Sequence, residues 1–215
     1  MVHAGVWDVV LAGTGDREKP LVKDSQDSFF AINDVNAAAG LPATTPSALV
    51  TTDLVKLSGT GGISSAGTCT GTTCVCDPTD PVKLCKGWYR DLSAGEKVVN
   101  SPLTVAGTTY FSTNRPKPPE AGSCDVNLGE ARAYGLTFFG GTPSKTQPDG
   151  TIGTPLTGGG LPPSPVGGVV QFEDGKQVAF IIGGGDKGSS VEGGRVTIPV
   201  SSTRRKLYWN SATDK

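Results

Sequence analysis

The chain is short of the residues that most catalytic centres use. It has a single histidine, His3, in 215 residues. A Ser-His-acid triad needs a histidine as its base, and His3 stands near the chain's start, where ends fray. The same shortage argues against a histidine-built metal centre. Charge is also scarce: charged residues make up 18% and the formal net charge is -1. That leaves no electrostatic footprint for nucleic acid or an anionic membrane. No apolar run approaches the ~18 residues of a membrane span. Met1 to Ala12 has no cationic start, and Asp8 interrupts its apolar stretch, so it does not read as a secretory signal.

Glycine and proline are abundant instead. The 31 glycines and 16 prolines make up roughly a fifth of the chain, against an ordinary share of about 12%. Such a chain has many turns and few long helices. Apolar content of 36% supports a modest core when it is held in short strands. The length suits one domain, or part of one.

Runs of β-branched and aromatic residues mark the strands. Leu103 to Val105 and Thr108 to Ser112, separated by Ala106-Gly107, predict a hairpin. Leu103 and Val105 share one face of its first strand, Thr109 and Phe111 one face of its second. Val6–Ala12, Ser28–Asn33, Ala131–Phe139, Arg195–Val200 and Lys206–Trp209 read as further strands. Gly168–Phe172 and Gln177–Ile182 form the clearest hairpin, with Asp174-Gly175 in its turn. Val50, Leu54 and Leu57 fall at helical spacing, so 50–57 reads as a short helix or a strand, with the helix slightly favoured. Val35–Ala39 has the length of one helical turn, and 142–165 reads as loop throughout.

Residues 58–86 are a low-complexity insertion with no periodicity, unable to form a core alone. It carries Cys69, Cys74, Cys76 and Cys85, and Cys124 follows later. That density suits an oxidising compartment. Four cysteines pair in three ways and five leave one over, so the connectivity stays open. A four-thiolate zinc site is the competing reading, but the spacing lacks the C-x2-C knuckles of zinc ribbons.

Other motifs are weaker. Gly183 to Gly188, GGGDKG, fits G-x-G-x-x-G, but a β-rich run follows where a dinucleotide site needs a helix. Asp77 and Asp80 are two carboxylates in a Pro-rich turn, short of the ligand set of a calcium loop. Asp16 and Arg17, with Glu18 and Lys19, form an exposed mixed-sign turn before Pro20, which reads as a solvated turn.

Several stretches together carry a resemblance. GWYRDLSAGEKVVNSPLTVAGTTYFSTNRP, within Lys86 to Pro116, resembles the penultimate-blade region of the C-terminal β-propeller of the PilC/PilY family of type IV pilus tip-associated adhesins. WDVVLAGTGDREKPL (Trp7 to Leu21), CDVNLGEARAYGLTFFGGT (Cys124 to Thr142), GGGLPPSPVGGVV (Gly158 to Val170) and RRKLYWNSATDK (Arg204 to Lys215) are similar to other pieces of the same region, in the same order. The resemblance implies an all-β fold of antiparallel blades in a partial propeller with long Gly/Pro-rich loops. Residues 1–215 would be the C-terminal part of that domain, with 58–86 as a Cys-rich insertion and the signal peptide upstream. Blades of ~40 to 50 residues make this about three blades, with open edges that the upstream part of the same protein would cover.

The function so implied is non-enzymatic: pilus assembly and adhesion at the pilus tip or bacterial cell surface. The partners would be pilins or minor pilins and a host or surface receptor, with no cofactor. The family's calcium loop has no counterpart in this sequence. Two alternatives remain, a quinoprotein-like propeller enzyme and a structural component of another extracellular filament. The first lacks its vicinal cysteines, since Val75 separates Cys74 from Cys76.

Overall fold

The computed structural model describes residues 2–3, 8–16, 18–19, 21–34, 51, 54–61, 86–117, 122, 128–173, 177–183 and 193–196. These residues form strands and turns, with no α-helix among them. The first sheet contains β1 (Val2–His3), β2 (Asp8–Gly13), β3 (Ser28–Asp34), β4 (Val55–Leu57) and β5 (Gly87–Asp91), in the order β1-β2-β3-β5-β4. The second contains β6 (Lys97–Val98), β7 (Leu103–Val105), β8 (Thr108–Arg115), β9 (Glu130–Thr137) and β10 (Thr154–Leu156). Its order is β10-β9-β8-β6, and β7 also pairs with β8. The third is β11 (Val166–Gln171), β12 (Gln177–Ile182) and β13 (Gly193–Arg195). Each sheet is thus built from one continuous stretch of chain. The described strands do not close into a barrel.

The expected hairpin is β7–β8, with Val105 opposite Thr108 and Leu103 opposite Tyr110. Ala106 and Gly107 take φ values of 52° and 83°. A two-residue turn whose twist matches its strands requires positive φ at both positions, and Ala106 adopts it despite its side chain. The strand expected over 131–139 is β9, and the hairpin around 174–176 is β11–β12, although the turn residues themselves lie outside the described residues.

Two expectations are corrected. Within the span read as a short helix, Val55–Leu57 is instead strand β4, which pairs parallel to β5 with Val55 opposite Trp88; residues 50, 52 and 53 lie outside the described residues. Helical spacing of Leu54 and Leu57 is also compatible with a strand that buries Leu57 beside Trp88, and pairing with β5 satisfies its backbone. The supposed loop at 142–165 contains β10, an edge strand on β9 in which Pro155 stands opposite Arg132. Proline lacks a ladder donor, and an edge strand tolerates that loss.

Parallel neighbours cannot be joined by a hairpin and need a crossover of a dozen or more residues. Residues 58–86, the Cys-rich insertion, are that crossover from β4 to β5. The insertion therefore belongs to the first sheet's topology and is more than an addition to a turn.

The second sheet is the middle layer. One of its faces packs on the first sheet: Phe111, Tyr134 and Leu136 join Val9, Phe29, Ala31, Leu57 and Trp88 in the main core. The opposite face presents Leu103, Val105 and Tyr110 to Ala179, Ile181 and Val196 of the third-sheet region. Period-two alternation explains how one strand serves both cores, with Phe111 facing one way and Tyr110 the other. Polar ties cross both interfaces. Trp88 Nε1 donates to the Phe138 carbonyl at 3.0 Å, and Ser112 Oγ donates to the Gly183 carbonyl at 3.3 Å.

Candidate ligand-binding cleft

Three charged side chains lie in the apolar first interface: Arg90 is 3% exposed, Glu96 1% and Lys97 2%. Burying a charge costs several kcal/mol unless it is well hydrogen-bonded, so each needs its partners identified. Arg90 follows Trp88 by two positions on β5, and this spacing turns both inward. Its Nη1 donates to the Gly59 carbonyl at 2.7 Å, and its Nη2 to those of Gly61 at 2.7 Å and Gly141 at 3.4 Å. Arg90 therefore holds the root of the Cys-rich crossover. The other end is fixed by Asn33 N–H donating to the Lys86 carbonyl at 2.9 Å. Burial lowers the pKa of Arg90 from its ordinary value. Its Nε has no hydrogen-bond partner, the one such buried side-chain atom among the described residues.

Glu96 sits in the turn between β5 and β6. Its Oε2 accepts the Ser93 N–H at 3.1 Å, and its Oε1 accepts Tyr134 Oη at 2.7 Å and the hydroxyl of Thr113. Burial, then the neighbouring Glu96 carboxylate, pushes the Tyr134 hydroxyl well above the usual tyrosine range. Tyr134 is held in place by its stack on Phe111, centroids 5.1 Å apart. Gly153 lies against its ring: a Cβ there would come within 2.7 Å of Tyr134 Cζ. Lys97 Nζ donates to the Lys19 carbonyl at 2.9 Å.

Between the two sheets, beside these groups, is a cleft of about 360 Å³. Leu57, Leu92 and Ile152 give it apolar surface, and Ser58, Ser93 and Thr151 bring hydroxyl groups to its lining. Arg90 contributes from the first sheet, and Arg132 with Tyr134 from the same face of β9. Lys56 and Asp91 are at the rim, joined by an ion pair of 2.6 Å. Lys56 and Ser28 hold the Asp91 carboxyl below the usual carboxylate range, and Asp91 in turn raises Lys56. The volume lies within the ~300–1,000 Å³ typical of small-molecule sites.

The residues singled out from sequence lie elsewhere. Cys69, Cys74, Cys76, Cys85 and Cys124 fall outside the described residues, as do Asp77, Asp80 and Arg17. Asp16 anchors its own turn, its Oδ1 accepting the N–H groups of Glu18 at 2.9 Å and Lys19 at 3.3 Å. Gly183 follows β12, and the rest of the GGGDKG motif is outside the described residues. His3 is in β1, in register with Asp8. Among the described residues no group of three or more His, Cys, Asp or Glu is placed to hold a metal ion. Likewise, among the described residues there is no helix long and apolar enough to cross a membrane. The sequence reading missed Arg90, Glu96 and Arg132. The available signal was their alternation: Trp88-x-Arg90 and Arg132-x-Tyr134 each place an arginine on the face of an aromatic residue.

Comparison with protein-family models, curated proteins and solved structures finds no match to the chain.

Proposed function

We propose that this chain is the C-terminal part of a β-propeller in a type IV pilus tip-associated adhesin, acting without catalysis in pilus assembly and surface attachment. The observation that carries this reading is the stacking of the sheets. Three consecutive stretches of chain each make one sheet, and the sheets pack face to face in chain order, as successive blades do. The third sheet also keeps an apolar outward face. Val166, Val170 and Ile182 share it by register and are 62%, 45% and 40% exposed. A contiguous exposed apolar patch is a contact surface in waiting, and a further blade of a longer polypeptide fits it. The stretches that resemble the family supply β2, β5, β6, β7, β8, β9 and all but the last residue of β11. In this reading the protein is extracellular, its cysteines are oxidised, and pilins or minor pilins and a surface receptor are its partners. The Cys-rich crossover 58–86 is its contact element.

The test is mass spectrometry of sheared surface filaments. Peptides of this chain should map to a larger polypeptide that travels with pilin. Recovery only outside the filament fraction overturns the reading. Replacing residues 62–85 with a glycine-serine linker of the same length, which keeps the parallel crossover, should reduce attachment while filaments still form; unchanged attachment removes the contact role.

A further inference from the structure

The cleft between the first two sheets has a chemistry that the pilus reading neither requires nor explains. Arg90 is buried, its guanidinium meets only carbonyl oxygens among the described residues, and its Nε is unpartnered. No described carboxylate is paired with it. A buried cation so placed favours the approach of an anion. The buried acid Glu96 is already engaged by Ser93, Thr113 and Tyr134. Across the cleft stands Arg132, half-buried on β9. Its neighbour Asp149 is held by Thr151, whose N–H and hydroxyl donate to Oδ1 at 2.9 and 2.7 Å. The rim pair Lys56–Asp91 is internally neutral. The lining therefore combines two guanidinium groups, the hydroxyl-bearing Ser58, Ser93 and Thr151 beside the already engaged Tyr134, and an apolar surface of Leu57, Leu92 and Ile152.

We propose that this cleft binds an acidic monosaccharide unit, its carboxylate at Arg132, its hydroxyls among Ser58, Ser93 and Thr151, and its apolar ring face on Leu57 and Ile152. Each part of the lining has a counterpart in that ligand. A planar guanidinium matches a carboxylate with two parallel hydrogen bonds, and hydroxyls exchange donors and acceptors with a sugar. Simple inorganic anions would leave the apolar surface uncovered. Arg90 acts from behind as a fixed positive charge and ties the cleft to the crossover through Gly59 and Gly61. A second cleft, lined by Lys23, Arg115, Lys117 and Glu130, is the internal control. It has cations but neither the hydroxyl set nor the leucine and isoleucine surface.

The experiment titrates the whole chain with D-glucuronate, D-glucose and inorganic sulfate at low salt, reading backbone amide shifts by NMR. Glucuronate should shift Gly59, Ser93, Arg132 and Gly153, and glucose should leave them in place. Arg132→Gln should weaken glucuronate binding about tenfold or more, the loss expected for one charge-assisted hydrogen bond. Arg132→Lys should recover part of it, and Lys23→Gln should change nothing. An unchanged amide spectrum away from position 132 shows that the variants are folded. Equal shifts with glucose, equal affinity for sulfate, unchanged affinity in Arg132→Gln, or shifts centred on the Lys23 cleft each overturn the proposal. The result is independent of whether the protein travels with pilin.

Discussion

The two sheet–sheet interfaces use similar strands yet differ in depth. The first joins ten buried residues, with Phe29, Phe111 and Tyr134 in a continuous stack: Phe29 and Phe111 lie 3.9 Å apart at 1°, Phe111 and Tyr134 5.1 Å apart at 7°. Among the described residues the second buries Ala179, Ile181 and Val196, with Leu103, Val105 and Tyr110 half covered. Val169, on the inward face of β11 by register, is still 62% exposed. Strand pattern alone does not make a core. The first interface is the densely packed one, and it holds the buried charges of Arg90, Glu96 and Lys97, because a dense surround can fix their hydrogen bonds. The third sheet is glycine-rich where it meets its neighbour, and Gly167 has no side chain to offer Leu103 and Val105.

The largest expected break is Phe111→Ala. It removes the middle ring of the aromatic stack and should cost about 4 kcal/mol, the scale for deleting a buried aromatic side chain. Urea denaturation should show all three sheets weakened together. A loss below about 1 kcal/mol would show that the stack is not the stabilising centre.

Next is Glu96→Ala, which leaves Tyr134 and Thr113 without their shared acceptor and should cost about 3 kcal/mol. Glu96→Gln keeps an acceptor in place and should cost less. The same network has a pH signature. Tyr134 has a raised folded pKa, so its contribution is fully present below the unfolded value near 10 and is lost as pH rises through the folded value. Tyr134→Phe should flatten the alkaline limb of a melting-temperature profile; an identical limb in both proteins would remove Tyr134 as its cause.

Ile181→Ala should cost about 2 kcal/mol, at the low end for a buried aliphatic residue, because a shallow interface collapses or admits water. Amide exchange should quicken in β11 and β12 and stay slow in β8 and β9. Uniform quickening would show that the two interfaces are one cooperative unit.

The smallest change lies outside both interfaces. Ala106 holds φ at 52°, which costs a residue with a Cβ about 1 kcal/mol. Ala106→Asn should stabilise the protein by about 0.5 kcal/mol, measured as a raised urea midpoint with an unchanged slope.

Local chemistry made much of the strand pattern legible. Leu103 to Ser112 could be read because β-branched alternation flanks a turn pair, and Gln177 to Ile182 because its apolar run is bounded by glycines. Thr154–Leu156 could not be read, since three residues among glycines and prolines carry no period, and only β9 makes them a strand. Val55–Leu57 misled because Leu54 and Leu57 suit a helix as well as a strand, and the partner that decides is Trp88, on the far side of the crossover. The cleft was illegible for the same reason. Arg90 meets Gly59 and Gly141, and Glu96 meets Thr113 and Tyr134.

Sequence alone determined that the chain builds short strands and where its tight hairpin turns. These properties follow from φ/ψ preferences and alternation, which neighbouring residues settle among themselves. Tertiary structure decided which face of each strand became core, that β4 runs parallel to β5, and that Arg90, Arg132 and Tyr134 meet at one cleft. Those outcomes depend on burial and on hydrogen bonds between residues far apart in the chain, and no local preference encodes such partners.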